Sequence, residues 1–332
     1  MRRADKMRTF WSWACALVLA AAASAQAPAL PSWNDGDART RIVEFVKAVT
    51  DSKSKDYVAP SDRIAVFDND GTLWSEQPLY FQFVYMLDQL KAAAPKHPEW
   101  KDNAAFKALA AQDKAALAKL GEKPILELLG QAVGGMTVAE YDQSVRDWLA
   151  SARHPKYNKP YTDLVYPAMQ DLLAYLRANG FKTFIVSGGS VEFMRPWAEK
   201  AYGIPPEQVV GSQQEVTFEM KDGKPLLRRG AKFSFIDDGP GKPVGIYRQI
   251  GKRPIAAFGN SDGDLQMLQV TADGPGQRLM LLVHHDDDVR EVAYDRQSHI
   301  GKLDKALDEA TAKKWVVVSM KKDWKKVFAF EK

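Results

Sequence analysis

Four short apolar runs constrain this chain more than any other feature. They are Ile64–Phe67, Thr183–Val186, Pro254–Phe258 and Leu279–Val283, and none shows polar alternation. Runs of four or five residues without alternation read as strands buried on both faces, the kind found in parallel sheets. Helical patterns separate them. Pro167 opens one whose stripe is Leu172, Leu173 and Leu176, and Gly180 stops it. Strand alternating with helix describes an open parallel α/β sheet, whose site belongs at the carboxyl ends of the strands.

The polar residues sit at those ends. After Phe67 come Asp68-Asn69-Asp70-Gly71-Thr72; after Val186, Ser187-Gly188-Gly189-Ser190; after Phe258, Gly259-Asn260-Ser261-Asp262-Gly263-Asp264; and after Val283, His284-His285-Asp286. Asp68 and Asp70 repel each other unless a cation or a shared proton lies between them. The plain reading of that stretch is a strand ending in a polar turn. A calcium loop of EF-hand type is excluded, because Gly71 is the fourth residue from Asp68 and that loop needs glycine sixth. Ser187-Gly188-Gly189 before a helix makes an anion seat of backbone N–H groups and helix dipole. The five histidines form no metal-spaced pair; for His284 and His285 the sequence favours hydrogen-bonded structural roles over catalysis.

Taken together, these stretches resemble the four motifs of the haloacid dehalogenase superfamily, specifically its phosphatases, and of these the phosphoserine-phosphatase-like branch. Asp68-x-Asp70-Gly71-Thr72-Leu73 matches the first motif and Ser187 the second. The resemblance implies a Rossmann-like parallel sheet flanked by helices, with a helical cap inserted after the first motif. It implies Mg²⁺-dependent hydrolysis of small phosphate esters through an aspartyl-phosphate. Asp68 would be the nucleophile and Asp70 the general acid–base, with Thr72, Ser187, Gly188 and Gly189 on the phosphate. Asp68, Asp70, Asn260 and Asp264 would hold the metal. Two lysines compete for the third motif. Lys252 precedes the strand ending at Phe258 and so lies roughly 20 Å from the site edge at ~3.3 Å per residue. Lys242 opens the helix that runs back to the strand's start, and is the lysine expected at the site. An acid at Asp70 sets the chain apart from the dehalogenases themselves.

The fourth motif departs from the family pattern, because Asn260 stands where family phosphatases usually carry a metal-binding Asp. An amide oxygen can ligate Mg²⁺ but removes one negative charge; Asp262 is the other residue that could approach the metal. Asn260 also leaves open a catalytically impaired core acting as a ligand-binding protein, and the motifs alone would suit a phosphomutase. Glu76, eight residues after Asp68, lies near where the phosphoserine phosphatases keep a substrate-facing glutamate, and would attract an ammonium on the leaving group.

The remaining sequence sets the frame. Residues 1–25 read as a secretory signal peptide, with Arg2, Arg3, Lys6 and Arg8 before an apolar run and Ala23-Ser24-Ala25 before Gln26. Cleavage would send the protein out of the cytoplasm, to the periplasm of a Gram-negative cell. The only cysteine, Cys15, lies in that leader, so the mature chain would carry no disulfide and no thiol ligand. Of the chain's net charge of +4, the leader holds +3. The near-neutral remainder argues against nucleic acid or an anionic membrane as partner, and leaves a small phosphorylated metabolite. Residues 77–164 read as three or four cap helices, with Thr137 and Glu140 forming a capping box; residues 26–76 and 165–332 form the core. A β-hairpin spans 215–235 with Asp222-Gly223 at its turn. Around Trp324, Lys321, Lys322, Lys325 and Lys326 form a solvated face with one buried aromatic.

Overall fold

The computed structural model describes residues 29–111 and 113–331. The expected leader and its cleavage site lie outside the described residues. Seven strands form one sheet: β1 (Ile64–Phe67), β2 (Lys182–Ser190), β3 (Val209–Lys221), β4 (Lys224–Phe235), β5 (Ala256–Gly259), β6 (Leu279–His284) and β7 (Val316–Ser319), in the order β4-β3-β2-β1-β5-β6-β7. Every neighbouring pair is parallel except β3 with β4. β1 is central, and all four of its residues are buried, as an apolar run covered on both faces requires.

The two covers are separate apolar layers. Ala65 and Phe67 face one, shared with α1 (Asp37–Thr50), α7 (Pro167–Ala178) and α8 (Val191–Tyr202). Ile64 and Val66 face the other, built from α9 (Gly241–Gln249), α10 (Leu265–Ala272) and α11 (Lys305–Ala312). The fold is therefore the Rossmann-like α/β sheet expected. Trp324 is buried among exposed lysines and meets Trp33 edge-on at 6.2 Å, which fastens the first described residues to the last.

Between β1 and α7 run five helices rather than three or four: α2 (Phe81–Ala93), α3 (Ala104–Ala110), α4 (Lys114–Leu120), α5 (Glu122–Val133) and α6 (Val138–Ser151). The chain from α3 to α5 is broken twice. Asp113 caps α4 by accepting from Ala116 N, and Gly121 turns the chain at φ 73°. The capping box of Thr137 and Glu140 forms as expected.

The hairpin differs more from the sequence boundary, which grouped it wholly with the sheet. Only residues 209–212 of β3 pair with β2; beyond them β3 pairs with β4 alone, and β4 packs on α5 and α6. Two features hold this junction. Gly130 and Gly134 let α5 approach Ala231 so closely that a Cβ on Gly130 would lie 2.9 Å from Ala231 O. Arg229, fully buried, donates to Val133 O and Gln214 Oε1 and lies over the Tyr141 ring at 3.4 Å from its centroid. Helices and hairpin thus pack as one layer.

Candidate active site

At the carboxyl edge of β1, β2 and β5 the strand-end residues meet around Lys242. Its ammonium lies 2.6 Å from Asp68 Oδ1, 2.6 Å from Asp264 Oδ1 and 3.0 Å from Val186 O, and is fully buried. Three donor protons meet three acceptors. Burial alone would lower the lysine's pKa, but the two carboxylates outweigh it and hold the group charged. Lys252 instead pairs with Asp62 on the opposite side, as the strand-length argument requires. Asp68 is raised well above the carboxylate range by burial, then by repulsion from Asp264, with Lys242 opposing. Burial also raises Asp70, against the hydrogen bond that Trp74 Nε1 donates to its Oδ1 at 2.8 Å. Three carboxylates therefore share one ammonium, and the site is short of positive charge.

The fourth-motif turn positions this cluster. Asp264 Oδ2 accepts from the backbone N–H groups of Asn260 and Ser261 at 2.9 and 3.0 Å. With Oδ1 on Lys242, both oxygens are committed, so Asp264 anchors the lysine and the turn and has no free oxygen for a metal. Asp262 does not line the cavity above Asp68 and Asp70. Its Oδ1 caps α11, accepting from Asp304 N and Ala306 N at 2.9 Å each.

Asn260 uses both ends of its amide. Oδ1 accepts from Thr72 Oγ1 at 3.2 Å and Nδ2 donates to Glu76 Oε1 at 2.7 Å. Thr72 is fully buried and does not line the cavity, so its hydroxyl serves Asn260 where the motif suggested phosphate. Gly71 is required on two counts: its φ is +74°, and a Cβ there would lie 2.0 Å from Asn260 Nδ2. Glu76 is buried and also accepts from Tyr294 Oη at 2.6 Å. Burial lifts its pKa to about 7 against the opposing charge of His285. Its Oε1 is thus occupied twice from within the protein.

His285 completes this side. Its Nε2 lies 2.7 Å from Gly71 O and its Nδ1 2.7 Å from Glu291 Oε2. Gly71 O can only accept, so Nε2 donates to it, and Nδ1 is paired with the Glu291 carboxyl group. Burial would lower its pKa, but Glu291 overrides it and raises it. The ring braces the first-motif turn through its backbone, the structural role expected. His284 is half-buried beside Asp295 at 3.4 Å.

A cavity of about 360 Å³ opens above Asp68, Asp70 and Lys242. Ser187, Gly188, Gly189, Ser190, Ser212, Ser261, Glu76 and Asp238 continue its polar floor. The second-motif segment, which in the structure is the bulged end of β2 where a turn after Val186 was expected, is held from α2, where Gln82 accepts from Ser190 N at 2.8 Å and donates to Ser190 Oγ at 3.0 Å. Its far wall is apolar and comes from two parts of the chain: Tyr80, Phe83 and Met86 at α2, Leu126 on α5, and Phe233 and Ile236 from β4 and just beyond it. Beside the floor lies Asp237, fully buried, whose two carboxylate oxygens have no hydrogen-bond partner. Burial, with Asp238 adding and Lys242 opposing, raises its pKa to about 7.

The structure brings Asp68, Asp70, Lys242, Ser187, Gly188, Gly189 and Glu76 to one cavity and leaves Thr72, Asn260 and Asp264 behind it. Sequence reasoning missed Gln82, Ser212, Asp238, Tyr294 and Glu291. Asp238 lies four residues before Lys242 and could have been found by extending that motif; the others are joined to the site only by the fold. Among the described residues, no three His, Cys, Asp or Glu side chains gather as a metal cluster.

Comparison with known proteins follows this geometry. The sequence model of haloacid dehalogenase-like hydrolases matches residues 65–269, a span that takes in Lys242 and the strand-end stretches after β1, β2 and β5 but not His284-His285-Asp286. Among solved structures, the chain is similar to a conserved functionally unknown protein from Anaerococcus prevotii, with TM-score 0.53 and 14% identity over 87% of this chain and 95% of that one. A protein of unknown function from Bordetella pertussis gives TM-score 0.49 and 14% identity over 78% and 99%. A probable phosphoserine phosphatase from Vibrio cholerae gives TM-score 0.37 and 15% identity over 72% and 62%. No curated protein matches the sequence. With its parallel sheet, its strand-end cluster and this match over more than half its length, the chain belongs to the haloacid dehalogenase-like hydrolases.

Proposed function

We propose that the site is a Mg²⁺-dependent phosphomonoesterase working through a phosphorylated Asp68. One observation carries this reading: Lys242 bridges Asp68 and Asp264 directly before the Ser187-Gly188-Gly189 turn. Lys242 fixes one oxygen of Asp68, so the other can attack phosphorus. As the ester P–O bond breaks, Asp70, whose pKa burial raises, gives its proton to the leaving oxygen. Water then attacks the acyl-phosphate, Asp70 takes a proton back, and inorganic phosphate leaves. Ser187 and the N–H groups of its turn hold the phosphoryl oxygens.

The donor set fits Mg²⁺ by its chemistry. Asp68 and the Asp70 carbonyl are hard oxygen ligands, Asn260 Oδ1 would join them only by releasing Thr72 Oγ1, and such sites commonly use one or two carboxylates, with water and phosphate as the rest. The ion would supply the positive charge that three carboxylates and one lysine lack. Asp264 takes no part in that set.

Asn260 speaks against a decayed core. Its amide must donate to Glu76 and accept from Thr72, and an Asp there would set a carboxylate against Glu76. The substitution is matched to its surroundings. The cap role of α2–α6 with the outer hairpin, covering the cavity during turnover, belongs to this proposal. So does export through the leader, which N-terminal sequencing of secreted protein tests. The functional test is hydrolysis of an aryl phosphate with and without Mg²⁺. The wild type is expected to be active only with metal, and Asp68→Asn inactive yet folded by circular dichroism. Substantial activity in that variant would refute the assignment.

A further inference from the structure

The cavity's charge distribution carries a statement about what leaves from phosphate. Among the described residues Lys242 is the only Lys, Arg or His lining it, and two carboxylates and the Val186 carbonyl already saturate it. Nothing in the walls could hold a second phosphate, or the carboxylate of an amino-acid ester. Of the acids beyond the chemical centre, Glu76 has Oε1 engaged by Asn260 and Tyr294 and keeps only Oε2, and Asp238 is exposed at the rim, where water screens its charge. The rest of the lining is instead largely apolar: Tyr80, Phe83, Met86, Leu126, Phe233 and Ile236. Leu126 and Ile236 remain 41% and 53% exposed, so apolar surface there is still in water and would gain from being covered.

We infer that the leaving group is uncharged and apolar: the substrates are alkyl or aryl monoesters of phosphate. This replaces the ammonium-bearing ester expected from Glu76, and it rests on the phosphatase reading above. The wall that selects the leaving group comes from both the inserted helices and the β4 strand, held together by Arg229 and the Gly130–Ala231 approach. A buried methylene is worth ≈ 0.8 kcal/mol, or about fourfold in kcat/KM.

The test is a series of n-alkyl phosphates from ethyl to hexyl, whose leaving groups have similar basicity, run beside O-phosphoserine and phosphocholine. The expected result is a rise of about threefold to fourfold per methylene until the cavity is filled. Hexyl phosphate is expected to exceed phosphoserine by about tenfold or more. Leu126→Asn and Phe233→Ser should flatten the rise. Phe218→Ser, at an exposed phenylalanine on the hairpin outside the cavity, should leave it unchanged. A flat series, or phosphoserine or phosphocholine matching hexyl phosphate, overturns the inference while leaving the phosphatase reading intact. Inertness toward every ester overturns the phosphatase reading. Calorimetry with hexyl phosphate and phosphoserine on the same protein then still decides the inference: tighter binding of hexyl phosphate supports it, and equal or weaker binding overturns it.

Discussion

The floor and the roof of one cavity are built on opposite principles. The floor is charged, and its centre is buried and fully hydrogen-bonded: Lys242 meets three acceptors and Asp264 spends both oxygens. The roof is apolar and partly exposed, with Leu126 and Ile236 open to water. A saturated polar cluster admits one geometry, because an unpaired group in low dielectric is costly. An apolar wall of several side chains tolerates many shapes. Chemistry that must not vary sits on the first kind of surface, and choice of substrate on the second.

Lys242→Met should break the floor most severely. Two buried carboxylates would lose their only counter-charge, at a cost of about 3–5 kcal/mol, and turnover should vanish. Chemical denaturation checks the first effect and a phosphate-release assay the second. A variant as stable as wild type would mean that Asp68 and Asp264 already share a proton without the lysine.

The next tests the seam between floor and roof. Asp237 follows Ile236 of the roof and precedes Asp238 of the floor, and its carboxylate is buried without a partner. Its pKa rises from 3.8 to about 7 on folding, so the folded state keeps a proton that the unfolded state loses. Stability from this group is complete below about pH 4 and is lost as pH rises through 7. Asp237→Asn should remove that decline, a difference on the order of 3 kcal/mol between pH 4 and pH 8. Melting curves across that range decide it; parallel pH profiles in the two proteins would contradict the assignment.

Asn260→Asp should lower activity by about tenfold or more, because a carboxylate would face Glu76 in a buried site. Adding Glu76→Gln should restore much of it, by reversing the polarity of the pair. Purely additive losses would show that the two residues are not coupled.

Arg229→Met should have the smallest effect and act on the roof alone. Losing its hydrogen bonds and its stacking on Tyr141 should cost about 1–2 kcal/mol. KM should rise more than kcat falls. An equal fall in kcat would show that floor and roof are not independent.

The same division explains what the sequence could disclose. Asp68, Asp70, Ser187 and Lys242 were legible because each ends a strand or opens a helix, and a parallel sheet brings such ends to one edge. Lys242 could even be chosen over Lys252 by counting residues along a strand. The roof was not legible. Leu126 and Phe233 are 107 positions apart, and no periodicity links them; what joins them is Gly130 against Ala231 and a buried arginine. Thr72, Asp264 and Glu76 fall between. Their motif positions could be read from the sequence, but their bonds depend on Asn260 and Tyr294, which sequence could not place beside them. β7 is a simpler omission: Val316-Val317-Val318 carries a strand signal that its neighbours Lys313 and Lys314 obscure.

The central claim is that Asp68 carries the phosphoryl group. Quenching the enzyme with acid during steady-state hydrolysis of an alkyl phosphate, then mapping phosphorylated peptides by mass spectrometry, tests it directly. The account predicts phosphate on Asp68 alone, labile to hydroxylamine and absent from Asp68→Asn. Phosphate on Ser187 or a histidine, or turnover with no phosphorylated peptide at all, would contradict it.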